Sequence, residues 1–413
     1  MNGYNITKLT NGINVLTENI PYVRSFSLGF WFNTGSKNET AKNNGISHFI
    51  EHMLFKGTKK RSARRIADEI ESLGGYLNAF TSKEHTCYYG RGLSQYIGKT
   101  FEVLADMILD SQLKSKDIKN EAGVVIDELH DIEDSPEELI FDKFESNIYR
   151  GNSLHYPIIG TEKNILEFDK KAIEEYLNKF YTNNNFFIVA SGCVSHDEIV
   201  KMAEKYFGSR KSELKQTTKK FKPTTAEDQN FRKEVQQIHA IIGKSVYGYK
   251  NKKRQAISIL SHILGDGSSS RLFQALREKN GITYQINTFL NSFYDVSTFG
   301  VYFSTNPKNY NKALNLVNIE LQKFYDKPFT KKELQRAKAY VKGNILLGLE
   351  NTSNRMMRMA QSFIYFNKVR TIEETISDID NLDMNFLVEL THELFEPGTL
   401  IKTTISPEKF QIS

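Results

Sequence analysis

The sequence predicts an α+β protein built from two similar halves. Strand-like and helix-like segments are mixed along the chain rather than strictly alternating, which favours α+β over a doubly wound parallel sheet. The second observation is a faint internal duplication, because sliding the chain by 210 residues places Gly57 on Gly267 and His52 on His262. The length of 413 residues leaves room for two or three domains.

The first half opens with strands and then changes to a helical pattern. Residues 25–32 alternate small or polar with apolar side chains, which is the period of a strand with one buried face. The sequence Asn33-Thr34-Gly35-Ser36 interrupts this strand. The residues that follow predict a helix over 45–55.

The second half repeats this order of elements, with a strand predicted over residues 238–242 and a helix over residues 256–264. In the same register His48 falls on Ser258 and Glu51 falls on Ser261. The second half is therefore predicted to keep the shape of the first half and to lack its chemistry.

Residues 208–229 are predicted to link an N-terminal domain (1–207) to a C-terminal domain (230–413). We interpret this segment as an exposed, cationic connection. The alternative is a patch for nucleic acid or an anionic surface, which the sparse aromatic residues do not favour. The residues behind this interpretation are Arg210, Lys211, Lys215, Lys219, Lys220, Lys222 and Pro223.

Composition excludes several classes of protein. With 39% hydrophobic and 25% charged residues, the chain is neither disordered nor collagenous, and a net charge of +6 does not demand an acidic partner. Cys87 and Cys193 are far apart, which argues against a disulfide framework and fits a reducing compartment. The N-terminus does not resemble a signal peptide, and no apolar stretch is long enough to span a membrane. The expected location is the cytoplasm.

The residues His48-Phe49-Ile50-Glu51-His52 are the strongest chemical signal in the chain. Helical residues four apart lie on one face, so both imidazoles can bind one zinc ion. Glu51 points near the same face, where a carboxylate can take a proton from an activated water molecule. The order H-x-x-E-H is an inverted zinc-protease motif. The alternative is a helix with two surface histidines, but apolar residues such as Phe49 and Ile50 flank the polar face and favour a metal site.

Two histidines and a base leave a zinc site incomplete, since a third protein ligand is needed. Glu121 and Glu128 are seven residues apart and therefore share one face of a predicted helix. Sequence patterns alone do not choose between these two carboxylates, nor do they exclude His130.

The chain resembles the pitrilysin/insulinase family of zinc peptidases and, within it, the mitochondrial processing peptidase β-subunit and its bacterial homologues. In that family the third ligand is a Glu about 76 residues after the second His, and another Glu precedes it by seven. Glu128 and Glu121 occur at these spacings after His52. The resemblance therefore implies Glu128 as the ligand and Glu121 as a supporting carboxylate.

The same resemblance implies residues that hold the substrate. The segment Leu73 to Ser82 matches the family's active-site edge strand, with Asn78 and Ala79 as substrate-binding positions. Arg277 and Tyr284, seven residues apart, match an Arg/Tyr pair whose implied role is to hold the substrate carbonyl and stabilise the oxyanion.

Taken with the motif, the resemblance implies two similar domains, each a mostly antiparallel sheet packed with helices, that form a clamshell around a chamber. The expected activity is a zinc endopeptidase with one Zn²⁺ per chain, acting on unfolded segments or short peptides. Self-pairing as a homodimer is expected because the chain carries both the metal motif and the Arg/Tyr pair. A bacterial cytoplasmic protein is expected, with a processed organellar matrix protein as the alternative.

Two other functions compete with this prediction. The first is a non-catalytic structural or partner subunit of the same family, and the second, weaker one is a nucleic-acid binder that works through the basic linker.

An acidic stretch follows Glu128 and has two interpretations. It either forms a solvated helix end or attracts basic residues of a substrate, such as those of presequence-like peptides. The stretch comprises Asp131, Glu133, Asp134, Glu137 and Glu138.

Overall fold

The computed structural model describes residues 3–211, 220–408 and 410. These residues form two compact units, each assembled from separate stretches of the chain. Unit 1 contains residues 3–130, 156–211 and 348–370, and unit 2 contains residues 131–155, 220–347, 371–408 and 410.

The strands all belong to two sheets. In chain order they are β1 (Tyr4–Lys8), β2 (Asn14–Asn19), β3 (Ser25–Phe32), β4 (Tyr76–Thr81), β5 (Thr86–Leu93), β6 (Phe186–Gly192), β7 (Gln229–Arg232), β8 (Ile238–Tyr247), β9 (Gln285–Ser292), β10 (Val296–Thr305) and β11 (Ile401–Ser406).

Helices pack around these sheets. In chain order they are α1 (Ile46–Leu54), α2 (Ala63–Glu71), α3 (Ile97–Asp110), α4 (Ser115–Asp134), α5 (Pro136–Ile148), α6 (Glu162–Glu167), α7 (Lys170–Phe180), α8 (His196–Phe207), α9 (Lys253–Gly265), α10 (Tyr310–Asp326), α11 (Lys331–Gly348), α12 (Thr352–Phe366), α13 (Ile372–Asp380) and α14 (Met384–Leu394). A π-helical turn spans Phe273–Glu278.

Both sheets are mostly antiparallel, as predicted. The order in unit 1 is β1-β2-β6-β3-β5-β4, with β2 and β6 parallel, and the order in unit 2 is β7-β11-β8-β10-β9, with β7 and β11 parallel. The remaining neighbours are antiparallel. One edge of the first sheet is β4, and one edge of the second sheet is β9.

The internal duplication predicted from the sequence is confirmed at the level of these elements. Moving α1 on by 210 residues places it inside α9. The same shift places β4 inside β9 and β5 inside β10. Helix α1, which carries the motif His48 to His52, and the hairpin of β4 and β5 therefore have counterparts in unit 2.

Helix α5 lies in unit 2, although the boundary predicted at residue 207 assigns it to the N-terminal domain. Its apolar residues Ile140, Phe144 and Ile148 recur every four positions and are fully or almost fully buried. They pack in a cluster with Ile241 of β8 and Ile405 of β11. The apolar stripe of α5 therefore finds its partner surface on the second sheet.

Helix α12 shows the reverse arrangement and lies in unit 1, although its position in the chain places it in the predicted C-terminal domain. Met356 and Met359 pack in a cluster with Leu16, Trp31 and Val189, which lie on the first sheet. The two halves thus exchange one helix each, because each apolar stripe is buried by the sheet encoded in the other half.

The predicted linker is described only at its ends, since residues 212–219, with Lys215 and Lys219, lie outside the described part. Arg210 is half-buried, and its backbone oxygen accepts a hydrogen bond from Nδ2 of Asn183 at 2.6 Å. On the other side, the ring of Phe221 contacts that of Tyr149 with centroids 5.6 Å apart. Exposure, predicted for the whole segment, therefore does not hold for Arg210.

Across the described residues, every helix is too short or too polar to cross a membrane.

Candidate metal centre

Helix α1 is held at its N-terminus by a buried carboxylate. Glu39 accepts hydrogen bonds from the backbone N–H groups of Gly45 and Ser47 at 2.8 and 2.9 Å. Negative charge is favourable at this end of a helix, where the first N–H groups lack intrahelical partners. Burial raises the pKa of Glu39, and these hydrogen bonds oppose that shift.

Gly45 precedes α1 in a conformation that favours glycine, with φ of 101°. A Cβ at this position would lie 2.7 Å from the backbone oxygen of Ile159. The close approach of these two backbone segments fixes where α1 begins and therefore which way its polar face points.

His48, His52 and Glu128 come together around one point. The two rings lie with centroids 4.7 Å apart, and one ligand atom from each of the three residues lies within 4.8 Å of the others. Nε2 of His48 is 3.7 Å from Oε1 of Glu128, and Nε2 of His52 is 3.5 Å from Oε2. Two imidazoles and one carboxylate form a donor set that suits zinc and leaves a position for a water molecule.

Glu121 contacts the opposite side of the His52 ring. Its Oε1 lies 2.9 Å from Nδ1 of His52, and its side chain is only 5% exposed. Histidines that bind metals commonly donate their second N–H to a carboxylate, which fixes the ring orientation. Since Glu121 and Glu128 lie on the same face of α4, one helix supplies both carboxylates, and the arrangement fits a bound zinc ion.

Glu51 lies next to this group and is bound to the edge strand. Oγ1 of Thr81, at the end of β4, donates a hydrogen bond of 2.6 Å to Oε2 of Glu51. Burial raises the pKa of Glu51 and the negative charge of Glu128 adds to it, while Thr81 and His52 oppose the shift. A carboxylate with a raised pKa is suited to accept and return a proton near neutral pH.

The two histidines differ in charge state because their surroundings differ. Burial and, to a smaller extent, the neighbouring His52 lower the pKa of His48 to about 4, while Glu128 opposes this shift. Burial also acts to lower the pKa of His52, but Glu121 and Glu128 outweigh it and raise that pKa to about 9. A cation that binds here must therefore displace a proton from His52.

Asn78 and Ala79 lie on β4, which pairs with β5 along one side. Asn78 is exposed, and its Oδ1 accepts a hydrogen bond of 2.8 Å from the backbone N–H of Ala79. This side chain therefore occupies a backbone donor of the edge strand. An edge strand of this kind is able to pair with an extended peptide.

Arg277 and Tyr284 lie side by side in unit 2. The guanidinium carbon of Arg277 is 5.1 Å from the centre of the Tyr284 ring and 4.9 Å from that of Phe273. Contacts at this distance are cation–π interactions. Tyr284 is 72% exposed, so its hydroxyl is available to a ligand.

The acidic stretch lies at the junction between α4 and α5, within unit 2. All five of its carboxylate residues are exposed. Glu137 accepts hydrogen bonds of 3.1 and 3.2 Å from Nε2 of Gln285, the residue that follows Tyr284. Part of the acidic stretch therefore lies close to the Arg/Tyr pair.

Lys56 and Thr81 contact the site, and the sequence patterns did not single them out. Lys56 follows His52 by four residues, so helical spacing was the available signal. Thr81 was part of the matched edge-strand segment, but its hydrogen bond depends on how α1 packs against β4. No local pattern reports that packing.

The chain matches two family models in succession. The model described as "Insulinase (Peptidase family M16)" matches residues 14–162, which include the histidines and both carboxylates of α4. The model described as "Peptidase M16 inactive domain" matches residues 167–341.

Proteins with similar sequences come from several bacteria. A Bacillus subtilis protein named "Uncharacterized zinc protease YmxG" is 34% identical over 385 residues, which cover 93% of this chain and 94% of that protein. A Rickettsia felis protein named "Uncharacterized zinc protease" is 34% identical over 399 residues, with 96% of each chain covered.

Solved structures share the fold. A protease from Helicobacter pylori superposes with a TM-score of 0.92 at 23% identity, covering 98% of this chain and 100% of that one. A peptidase M16 inactive domain from Pseudomonas fluorescens has a TM-score of 0.89 at 16% identity, with 99% of each chain covered. At these identities the superpositions concern the fold alone.

Proposed function

Because this chain belongs to the insulinase family of peptidases (family M16), we propose that it is a zinc-dependent endopeptidase that cleaves unfolded segments or short peptides. One observation carries the proposal: ligand atoms of His48, His52 and Glu128 lie within 4.8 Å of one another. Glu51, adjacent in sequence to His52, then supplies the base that peptide hydrolysis needs.

His48, His52 and Glu128 are the proposed ligands of one zinc ion per chain. Bound zinc supplies two kinds of chemistry in such sites, since it lowers the pKa of a water molecule to about 7 and polarises a carbonyl group. Glu121 orients His52 through Nδ1, so that Nε2 faces Glu128.

Glu51 is the proposed general base. Thr81 occupies its Oε2, which leaves Oε1 to take the proton from the attacking water molecule. The same carboxyl group then returns the proton to the leaving amine, as a general acid–base catalyst does. Its partly buried position keeps the proton affinity of the carboxylate high enough for this exchange.

The edge strand β4 and the Arg277/Tyr284 pair are the proposed substrate-holding elements. A peptide that adds to β4 gains backbone hydrogen bonds whatever its sequence, and the amide contact made by Asn78 would then give way to the peptide. Arg277 and Tyr284 provide donors suited to a carbonyl oxygen. The exposed carboxylates near Tyr284 support basic, presequence-like peptides as the finer substrate class.

The competing proposal is a non-catalytic structural or partner subunit of the same family. Zinc content and turnover of an unfolded peptide separate the two functions when the wild type is compared with Glu51→Gln. We expect Glu51→Gln to retain zinc and to lose about 10²–10⁴-fold in kcat, which is the usual contribution of a general acid–base group. Glu71→Gln is the matched control, because it makes the same substitution at an exposed position of α2.

Turnover by the wild type and by Glu71→Gln, with loss in Glu51→Gln, supports the endopeptidase. A wild-type chain that binds zinc and cleaves no peptide indicates the structural subunit. Equal turnover in Glu51→Gln and the wild type contradicts the role of Glu51. The homodimer and the bacterial cytoplasmic location remain predictions.

A further inference from the structure

Lys56 contacts the carboxylate that supports the metal centre. It lies just beyond the end of α1, and its backbone N–H donates a hydrogen bond of 3.1 Å to the carbonyl of Met53. The chain therefore makes one more turn after Leu54, and Lys56 projects on the same side as His52. Nζ of Lys56 lies 2.5 Å from Oε2 of Glu121.

Both carboxylate oxygens of Glu121 thus have a partner. Oε1 contacts Nδ1 of His52 at 2.9 Å, while Oε2 contacts Lys56. A carboxylate with a 5% exposed side chain has little water to bind, so its charge depends on these two partners. Removing one partner leaves a nearly buried charge half-compensated and free to rotate.

The orientation of His52 depends on this carboxylate. Within the described residues, Nδ1 of His48 is buried without a hydrogen-bond partner, so His48 lacks the support that Glu121 gives to His52. Loss of orientation at Glu121 would therefore act directly on one of the two imidazoles at the centre.

We propose that Lys56 is a positioning residue for zinc: by holding Oε2 of Glu121, it fixes the carboxylate that orients His52. The inference rests on the proposed zinc binding, which the same experiment measures separately. Lys56 acts through Glu121 and His52 and does not itself touch the metal or the substrate.

The direction of the effect separates positioning from simple charge. A positive side chain near a cation repels it, so removal of Lys56 would tighten zinc binding if charge alone mattered. Loss of positioning has the opposite sign, since changes in groups that orient metal ligands typically weaken metal affinity about 10- to 100-fold.

The test is the zinc affinity of the full chain, measured by competition with a chromophoric chelator. Lys56→Met keeps the apolar stem and removes the charge, and Lys56→Arg restores a cationic donor. Lys59→Met is the control, because Lys59 contacts Asp110 at 3.1 Å on the surface and its side chain is 71% exposed. Thermal unfolding of the metal-free proteins checks that each variant folds.

We expect Lys56→Met to weaken zinc binding about 10-fold, Lys56→Arg to recover most of that loss, and Lys59→Met to match the wild type. In a Glu121→Gln background, Lys56→Met should cause no further loss, because the contact through which it acts is already changed. Unchanged or tighter zinc binding in Lys56→Met overturns the inference, as does an equal loss in both backgrounds. A wild-type chain that fails to bind zinc contradicts the proposed function instead.

Discussion

The two units contain a corresponding helix and hairpin, but these elements carry different side chains. In unit 1, α1 carries His48, Glu51 and His52, and carboxylates from α4 complete a polar centre. In unit 2, α9 packs against β9 and carries Ser258 and Ser261 at the positions that match His48 and Glu51. Oγ of Ser261, at the position that matches Glu51, donates a hydrogen bond of 2.9 Å to Thr288 of β9.

His262, the counterpart of His52, shows how the second site differs. Its ring stacks on that of Tyr340 with centroids 3.9 Å apart and has one carboxylate nearby, that of Asp266 at 3.6 Å from Nδ1, whereas His52 has carboxylates on both sides. Both units bond the helix to the edge strand through a hydroxyl group, Thr81 to Glu51 in one and Ser261 to Thr288 in the other. The difference indicates that the fold supplies the framework, and that a few side chains on α1 and α4 supply the chemistry.

The largest expected effect tests whether the metal centre belongs to unit 1. His48→Ala should abolish stoichiometric zinc binding and reduce kcat about 10⁴-fold or more, because activation of water is lost with the metal. Ser258→Ala, the change at the matching position of α9, should leave both unchanged. Zinc analysis and peptide turnover provide the measurements, and zinc retained by His48→Ala would falsify the assignment.

The next effect concerns the stability of unit 1, which holds a buried cation among carboxylates. Arg61, with a side chain 5% exposed, contacts Glu69 and Asp106 at 2.7 Å and also Glu102. Arg61→Met should lower the free energy of unfolding by about 3–5 kcal/mol, since the nearly buried carboxylate of Asp106 loses its cationic partner at 2.7 Å.

Arg271→Met is the comparison in unit 2. Arg271 contacts one carboxylate, that of Glu333 at 3.0 Å, and both side chains are partly exposed, so we expect a cost of about 1 kcal/mol or less. Urea unfolding followed by circular dichroism reports on both units, whereas the fluorescence of Trp31, the single tryptophan of the chain, reports on unit 1. Equal shifts for Arg61→Met and Arg271→Met would show that the units do not differ in this respect.

The smallest expected effect tests the hydrogen bond between Glu51 of α1 and Thr81 of the edge strand β4. Thr81→Val should lower kcat about 10- to 100-fold with little change in KM, because Glu51 loses the contact that orients it. Thr81→Ser should restore most of the activity.

Thr288→Val removes the equivalent bond in unit 2 and should leave kcat within about twofold. It should lower the free energy of unfolding by about 1–3 kcal/mol, since the buried hydroxyl of Ser261 loses its acceptor. If Thr288→Val reduces kcat as much as Thr81→Val does, the hydrogen bond to Glu51 has no special role.

Much of the site was predictable because its residues occur in pairs on two helices, α1 and α4. The spacing of His48 and His52 places both rings on one face of α1 whatever that helix packs against. The same holds for Glu121 and Glu128, which lie two turns apart on α4. Helical periodicity is a local property, so these pairs were available from the sequence, as were the α+β class and the duplication of elements.

The contacts between elements were not available in the same way. Whether Glu121, Glu128 or His130 faces His52 depends on how α4 packs against α1, nearly 70 residues away in the chain. The contacts of Lys56 with Glu121 and of Thr81 with Glu51 depend on the same packing.

The sequence by itself determined which elements form, which residues share a face, and that the first half carries the metal motif. Only the tertiary structure decided that α5 packs in unit 2 and α12 in unit 1, and which carboxylate meets which nitrogen of His52. The physical reason is that an apolar stripe or a row of carboxylates indicates what kind of surface a helix must pack against, but any complementary surface meets that requirement. The choice among surfaces is made by packing of the whole chain.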